Sequence, residues 1–191
     1  MFQLVLENTP FYAESGGQVG DTGTITLSAQ PGEVSVINIK IINTKKENDL
    51  IIHFTDQVPA NLAGEVTASV DRNRRRNITV HHSVTHLMHA ALRRILGTHV
   101  AQKGSLVNEE HTRFDFSHFA KMTDQELEAV EETVNEKIRE NIPVVIRSMG
   151  KEEAIEMGAM ALFGEKYADT VRVVIMDPAY SIELCGGTHV G

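Results

Sequence analysis

The order of apolar and polar positions divides the chain in two. Up to about residue 70 the apolar or alternating stretches are short: Phe2–Leu6, Thr24–Ser28, Val34–Ile42, Leu50–Phe54 and Gly64–Val70. Clusters of Gly, Pro, Asn and Asp separate them, among them Gly16-Gly17, Gly20-Asp21 and Pro31-Gly32. Period-two patterning bounded by turn formers predicts strands. Five short strands with no helix between them predict a small barrel or sandwich.

Beyond a knot of arginines (Arg72, Arg74, Arg75, Arg76) the period changes. Between Val80 and Leu96 the apolar residues Val84, Leu87, Met88, Ala91 and Ile95 recur at helical spacing, and Gly97 is a natural stop. His82, His86, His89 and Arg93 fall opposite that stripe, so they face a cleft, another layer or solvent. His99–Val107 and Thr112–Phe116 predict paired strands. Thr123–Glu140 predicts a helix with a Thr123/Glu126 capping box, a Met122/Leu127 staple and a buried stripe of Leu127, Val130, Val134 and Ile138. After Pro143, Val144–Arg147 predicts a strand, Lys151–Met157 a short helix, and Arg172–Met176 and Ser181–Leu184 two more strands. The expected class is α+β. A small N-terminal β-barrel subdomain (residues 1–74) precedes a mixed α/β core (residues 75–191) whose helices pack on a largely antiparallel sheet.

Composition adds a few exclusions. The 191 residues can bury a substantial core, and 41% apolar content contains no run long enough to span a membrane. The N-terminus shows no basic segment followed by an apolar stretch, so no secretory signal is expected. A single cysteine cannot form a disulfide with itself. It fits a reducing, cytoplasmic setting, and equally a piece of a longer chain. The net charge of −8 argues against broad non-specific nucleic-acid binding. The charge is uneven, however. The arginine knot with Arg93 and Arg94 makes a basic rim, whereas Asp124–Glu140 is mostly acidic. Such a rim can hold one phosphate backbone; the plain alternative is a solvated, salt-bridged surface.

Chemistry enters with His82 and His86, one helical turn apart, and with Cys185-Gly186-Gly187-Thr188-His189. Imidazoles at i and i+4 can share one ion. Two glycines let the chain turn so that the Cys185 thiolate and the His189 ring converge. His82, His86, Cys185 and His189 together make a Cys/His quartet of the kind that holds zinc. His89 is the main rival ligand, His81 a lesser one, and a buried structural cysteine beside surface histidines is the plain alternative. Four protein ligands argue for a structural or orienting ion over a metal-bound nucleophile. Ser83, Val84 and Thr85 lie between the helix histidines, so the HExxH general base is missing.

These residues belong to longer motifs. They include Thr9-Pro10-Phe11-Tyr12-Ala13-Glu14-Ser15-Gly16-Gly17-Gln18-Val19-Gly20-Asp21 and His82-Ser83-Val84-Thr85-His86-Leu87-Met88-His89. Next come Gln102-Lys103-Gly104-Ser105-Leu106-Val107 and Arg113-Phe114-Asp115-Phe116. The series ends with Gly158–Tyr167 and Cys185–Val190. In this order the motifs resemble the editing region of alanyl-tRNA synthetase and the related free-standing editing proteins, over nearly the whole chain. The continuous Gly158–Tyr167 stretch is more similar to the synthetase. One departure is His81, where the family more usually has Asn; the ligand register is unaffected. Nothing resembles the class II aminoacylation motifs or an ATP site.

The resemblance implies zinc on His82, His86, Cys185 and His189, and hydrolysis of the ester joining serine or glycine to the 3′ end of tRNA(Ala). It implies the tRNA acceptor end and the rest of a synthetase chain as partners. Sparing alanine while cutting serine calls for a hydrogen-bonding partner to the serine hydroxyl, because size alone discriminates poorly. Gln18 is the first candidate, with Thr85 and Ser15. Gly16, Gly17, Gly186 and Gly187 can present backbone N–H groups to an oxyanion, although tight turns explain them equally. His81 or His89 can act as base, and Cys185 as a covalent nucleophile is a rival to Cys185 as ligand. Arg72, Arg74, Arg75, Arg76, Arg93, Arg94 and Lys103 are the expected phosphate contacts. Two other classes stay open: a zinc-stabilised tRNA-binding module without activity, and a zinc hydrolase of other aminoacyl esters.

Overall fold

A computed structural model describes residues 1–27, 37–57, 65–161 and 168–191. The Pro31-Gly32 turn, Ser28, Gly64, the Val34 end of the third expected strand and residues 162–167 of the Gly158–Tyr167 motif lie outside the described residues. Six strands open the chain: β1 (Phe2–Val5), β2 (Gly23–Leu27), β3 (Ile37–Ile41), β4 (Asn43–Glu47), β5 (Leu50–Thr55) and β6 (Val66–Val70). They form two antiparallel sheets, ordered β1-β5-β4 and β3-β2-β6. Phe11, Ile25, Leu27, Ile39 and Ile41 make their buried core, with Leu4, Val66 and Ala68 against it. The antiparallel β unit is as expected. Among the described residues, though, no ladder joins the two sheets into a closed barrel.

Strand β4 has no apolar period to betray it. It exists because Glu47 pairs with Leu50 across a two-residue loop, Asn48-Asp49. Both loop residues have positive φ, 46° and 69°. Asn and Asp tolerate that conformation, and it matches the twist of a tight hairpin.

Helix α1 runs from Arg72 to Leu96, starting at the arginine knot and not at Val80. Asp71 caps it, accepting from the Asn73 and Arg74 backbone N–H groups at 3.1 and 3.0 Å. Arginines are good helix formers, so an early start costs little, but they carry no apolar period to reveal it. The expected division between residues 74 and 75 falls in the first turn of this helix.

Strands β7 (Gln102–Val107) and β8 (Thr112–Phe116) form a hairpin with a bulge at Lys103. Helix α2 (Asp124–Arg139) has the expected reciprocal Thr123/Glu126 cap. Its stripe is narrower than expected: Val130 and Val134 are buried, whereas Leu127 and Ile138 are 58% and 49% exposed. Only the middle of α2 meets the shared core with α1, so the ends of the stripe stay wet. Strands β9 (Val144–Gly150), β10 (Thr170–Met176) and β11 (Ser181–Leu184) form an antiparallel sheet ordered β11-β10-β9, with the short α3 (Lys151–Glu156) beside it. Alternate residues of β10 serve two cores. Val171, Val173 and Ile175 pack with Ala154 of α3. Val174 and Met176 pack with Leu87, Ala91 and Val130. No helix among the described residues is long and apolar enough to cross a membrane.

Candidate metal centre

The Gly-rich loop, helix α1 and the turn after β11 meet at one point. Ser15 and Gln18 exchange backbone hydrogen bonds of 3.1 and 3.0 Å around Gly16 and Gly17, whose φ values are 57° and 82°. This is a two-residue hairpin turn that glycines satisfy without strain. Val19 and Val107 then tie the loop to β7, with Val19 N–H donating to Val107 at 3.1 Å and Val107 N–H to Gly17 at 2.8 Å. The result sends the Gln18 side chain inward, where it is fully buried.

His82, His86, Cys185 and His189 converge so that one donor atom from each lies within 4.8 Å of the others. The Cys185 Sγ is 3.4 Å from His82 Nε2 and 3.3 Å from His189 Nε2. Ligands of one tetrahedral ion, each about 2.0–2.3 Å from it, stand about that far apart. The outer nitrogens are held as well. His82 Nδ1 donates to Gln18 Oε1 at 2.6 Å, and His189 Nδ1 meets Ser83 Oγ at 3.2 Å while that hydroxyl donates to the Thr79 carbonyl. Fixing Nδ1 in this way leaves Nε2 as a lone-pair donor facing the cluster. His86 and His89 lie beside Glu183, at 3.9 and 3.3 Å, and His86 Nδ1 and both His89 nitrogens are buried without a hydrogen bond. The fit to an ion rests on the spacing of the four donors and not on these nitrogens, since His89 lies outside the quartet and His86 Nδ1 faces Glu183. The donor set therefore fits zinc.

Electrostatics point the same way. Burial pushes the His82 imidazole down to about 3, with the neighbouring His86 adding to the effect. Burial also lowers His86, and lowers His189 far below the ordinary imidazole range. All three rings are neutral donors at pH 7. Burial alone would raise the Glu183 carboxyl, but His86 and His89 outweigh it and hold it below its ordinary value.

The Cys185 turn is shaped for close approach. A Cβ on Gly187 would overlap the His82 ring and crowd Gln18 Oε1, so only glycine fits there. Gly187 N–H donates to the Cys185 sulfur at 3.4 Å. Arg172 clamps the turn, donating to the Cys185 and Gly187 carbonyls at 2.7 and 2.8 Å. Thr188 fastens it to the Gly-rich loop, with its N–H donating to Gln18 Oε1 and its hydroxyl accepting from Gln18 Nε2, both at 3.0 Å.

A small cleft of about 110 Å³ opens on the cluster. Of the sequence candidates, Ser15, Gly16, Thr85, His89, Gly186 and Gly187 line it together with His82, His86 and Cys185. Gln18 does not, because both ends of its amide are spent on His82 and Thr188. His81 points elsewhere, its Nδ1 2.7 Å from the Asn108 carbonyl. Gly17 lies against the Ser105 carbonyl. The Thr85 hydroxyl donates to the His81 carbonyl and meets Thr112. Tyr12, Gln102, Ser105, Phe114 and Glu183 also line the cleft, and none was singled out for a role from sequence. Glu183 had a signal: as the lone acid of β11 it shares a face with Cys185, two residues on.

The arginines split. Arg75 is paired with the buried Asp21, through Nε at 2.8 Å and through its terminal nitrogen. Arg74 donates to the Gly20 carbonyl and pairs with Glu109 at 2.9 Å. Arg93 donates to the Val100 carbonyl at 2.7 Å. Arg94 reaches the Ala179 carbonyl and lies over the Tyr180 ring. These four hold the fold together. Arg72, Arg76 and Lys103 are exposed, with no such internal partner among the described residues.

Comparison with known proteins gives a consistent neighbourhood. The family described as tRNA synthetases class II (A) matches residues 1–74. The chain is 56% identical to the alanine–tRNA ligase of Cytophaga hutchinsonii over 190 residues, 99% of this chain and 21% of that protein. It is 51% identical to that of Flavobacterium psychrophilum, over 100% of this chain and 22% of that protein. For Gluconobacter oxydans the identity is 55%, over 98% and 22%. The chain thus spans about a fifth of the length of these curated relatives.

Proposed function

We propose that this chain is the editing part of an alanine–tRNA ligase, acting in the cytoplasm on the acceptor end of tRNA(Ala). It hydrolyses the ester of wrongly attached serine or glycine, with zinc held by His82, His86, Cys185 and His189. The observation that carries this reading is the four-donor cluster at the floor of a small polar cleft, in a chain half identical to alanine–tRNA ligases. The division into residues 1–74 and 75–191 belongs to the same proposal, as does closure of the N-terminal strands into a barrel.

Bound zinc would supply a fixed positive charge that orients the aminoacyl end of the substrate. The protein's own groups do the rest. Gly16 and Gly186 line the cleft and can offer backbone N–H groups to the oxyanion that forms at the ester carbonyl. His89, beside the Glu183 carboxylate, is the base: it takes a proton as water adds to the carbonyl, and returns it to the departing 3′ oxygen. The Ser15 hydroxyl, at the cleft, bonds that of serine, a contact alanine cannot make, so the serine ester is held better and the correct ester is spared. The Thr85 hydroxyl is spent on the His81 carbonyl and Thr112, and its side chain shapes the cleft wall. Gln18 acts through His82, as a positioning residue. Cys185 serves as ligand, not as nucleophile. Exposed Arg72, Arg76 and Lys103 are the phosphate contacts that remain available.

The closed set of four protein ligands is also what a purely structural zinc would show, which keeps one second reading: a zinc-stabilised RNA-binding module without activity. Deacylation separates the two. We expect the chain to release serine from seryl-tRNA(Ala) and spare alanyl-tRNA(Ala), with release abolished by Cys185→Ala. A folded, zinc-loaded chain that binds the RNA and leaves both esters intact would favour the second reading.

A further inference from the structure

The described part of the chain carries an aromatic surface that the metal centre does not use. His99, His118 and Phe119 gather beyond the open end of the β7–β8 hairpin. The Phe119 ring stacks on His99 at 4.4 Å and 27°, and His99 stacks with His118 at 5.2 Å and 18°. His99 Nε2 and His118 Nδ1 are 2.9 Å apart, which locks the two imidazoles as a pair. Phe119 is 87% exposed, in a chain with only seven phenylalanines and three tyrosines. An exposed ring stacked at 27° on His99 and tilted 40° to His118 resembles a stacking platform more than a piece of unfinished core.

Its position ties it to the cleft. Phe114 lines the cleft and lies 5.0 Å from the His89 ring. Phe116, two residues on along the same face of β8, stacks on Phe114 at 6.2 Å. His118 continues that alternation past the end of the strand, where Ser117 is still bonded to Ala101. On the other strand Gln102 lines the cleft three residues after His99. From Phe114 to His118 the strand advances about 13 Å, a distance that a few nucleotides of single-stranded RNA span. The neighbouring charges in sequence are mixed: Lys103 and Lys121 are exposed, while Glu126 caps α2 and feels His118. The platform would thus hold a base by its face, with weak help from charge.

We propose that Phe119, with His99 and His118, is a stacking platform for the unpaired nucleotides that precede the terminal adenosine of the tRNA acceptor end. This rests on the editing role proposed above and adds a binding site for the RNA strand leading into the cleft. Every base has a stackable face, so the contact positions the strand without reading its sequence.

Phe119 is exposed enough that its substitution leaves the fold intact, which zinc content and melting temperature would verify. The probes are tRNA(Ala) with its complete 3′ end and the same RNA trimmed of its unpaired 3′ nucleotides. Phe119→Ala should weaken binding of the complete RNA about tenfold and leave the trimmed RNA unchanged. Phe119→Tyr, which keeps a ring, should bind like the original. Equal affinity of Phe119→Ala and the original chain for complete RNA overturns the proposal, as does equal loss on both RNAs. Seryl-tRNA(Ala) deacylation by the same variants keeps this separate from the editing role. Full hydrolysis with unchanged RNA affinity removes the platform and leaves the editing role. Phe119-dependent binding without any hydrolysis does the reverse.

Discussion

At the scale of single residues, the centre depends on groups that touch no substrate. Gln18 is buried with its carbonyl oxygen on His82 Nδ1 and on the Thr188 N–H. It fixes the tautomer of one ligand and the position of the turn that carries two others. Second-layer partners of this kind typically contribute 10–100-fold to metal affinity. Gln18→Ala should therefore weaken zinc binding about tenfold or more in a chelator competition, and Gln18→Glu, which retains the acceptor, should lose less. A variant with unchanged zinc affinity and altered serine preference would return Gln18 to the substrate-contact role expected from sequence. The quartet itself was legible, because i, i+4 histidines and a Cys-Gly-Gly-Thr-His turn are local patterns. Arg172 and Ser83 were not. Each works through a contact with residues far off in sequence, and a lone Arg in a strand or a Ser in a helix has no spacing to mark it.

At the scale of elements, helix α1 is pinned to the Gly-rich loop. Arg75, in its first turn, pairs with Asp21 and also reaches the Pro10 carbonyl at 3.1 Å, while Asp21 accepts from the Tyr12 N–H at 2.6 Å. The loop that carries Ser15, Gly16 and Gln18 is pinned to the helix that carries His82 and His86. Asp21 is almost wholly buried, so Arg75→Ala strands a carboxylate and should cost about 3 kcal/mol in urea unfolding. Arg76→Ala, at an exposed position, should leave stability within about 0.5 kcal/mol and lower the salt dependence of RNA binding instead. The reverse pattern would put Arg75 on the RNA surface. Sequence periodicity found most elements but misplaced the start of α1 and missed β4. Both are polar segments held by an end device, the Asp71 cap and the Asn48-Asp49 turn, and not by an apolar stripe.

At the scale of the whole molecule, burial of neutral imidazoles couples stability to pH. His53 is fully buried between Thr9 and the Leu4 carbonyl, and burial lowers it from the ordinary value of 6.5. In the metal-free chain His82, His86 and His189 are lowered as well. A histidine with a depressed folded-state pKa takes up protons first in the unfolded chain. Stability is therefore complete above about pH 6.5 and falls as pH drops below it. The urea midpoint of the metal-free chain should fall steadily from pH 7 to pH 5; a flat profile would mean that these rings stay open to solvent.

The central claim is that the chemistry of the cleft depends on the His82, His86, Cys185 and His189 centre. The most direct measurement is single-turnover deacylation of seryl-tRNA(Ala) by the zinc-loaded chain, by the chain stripped with a chelator, and by the stripped chain after zinc is restored. We predict hydrolysis that is lost on stripping and recovered with about one zinc per chain. Full hydrolysis by a stripped chain, or none by a folded zinc-loaded chain that binds the RNA, would contradict it.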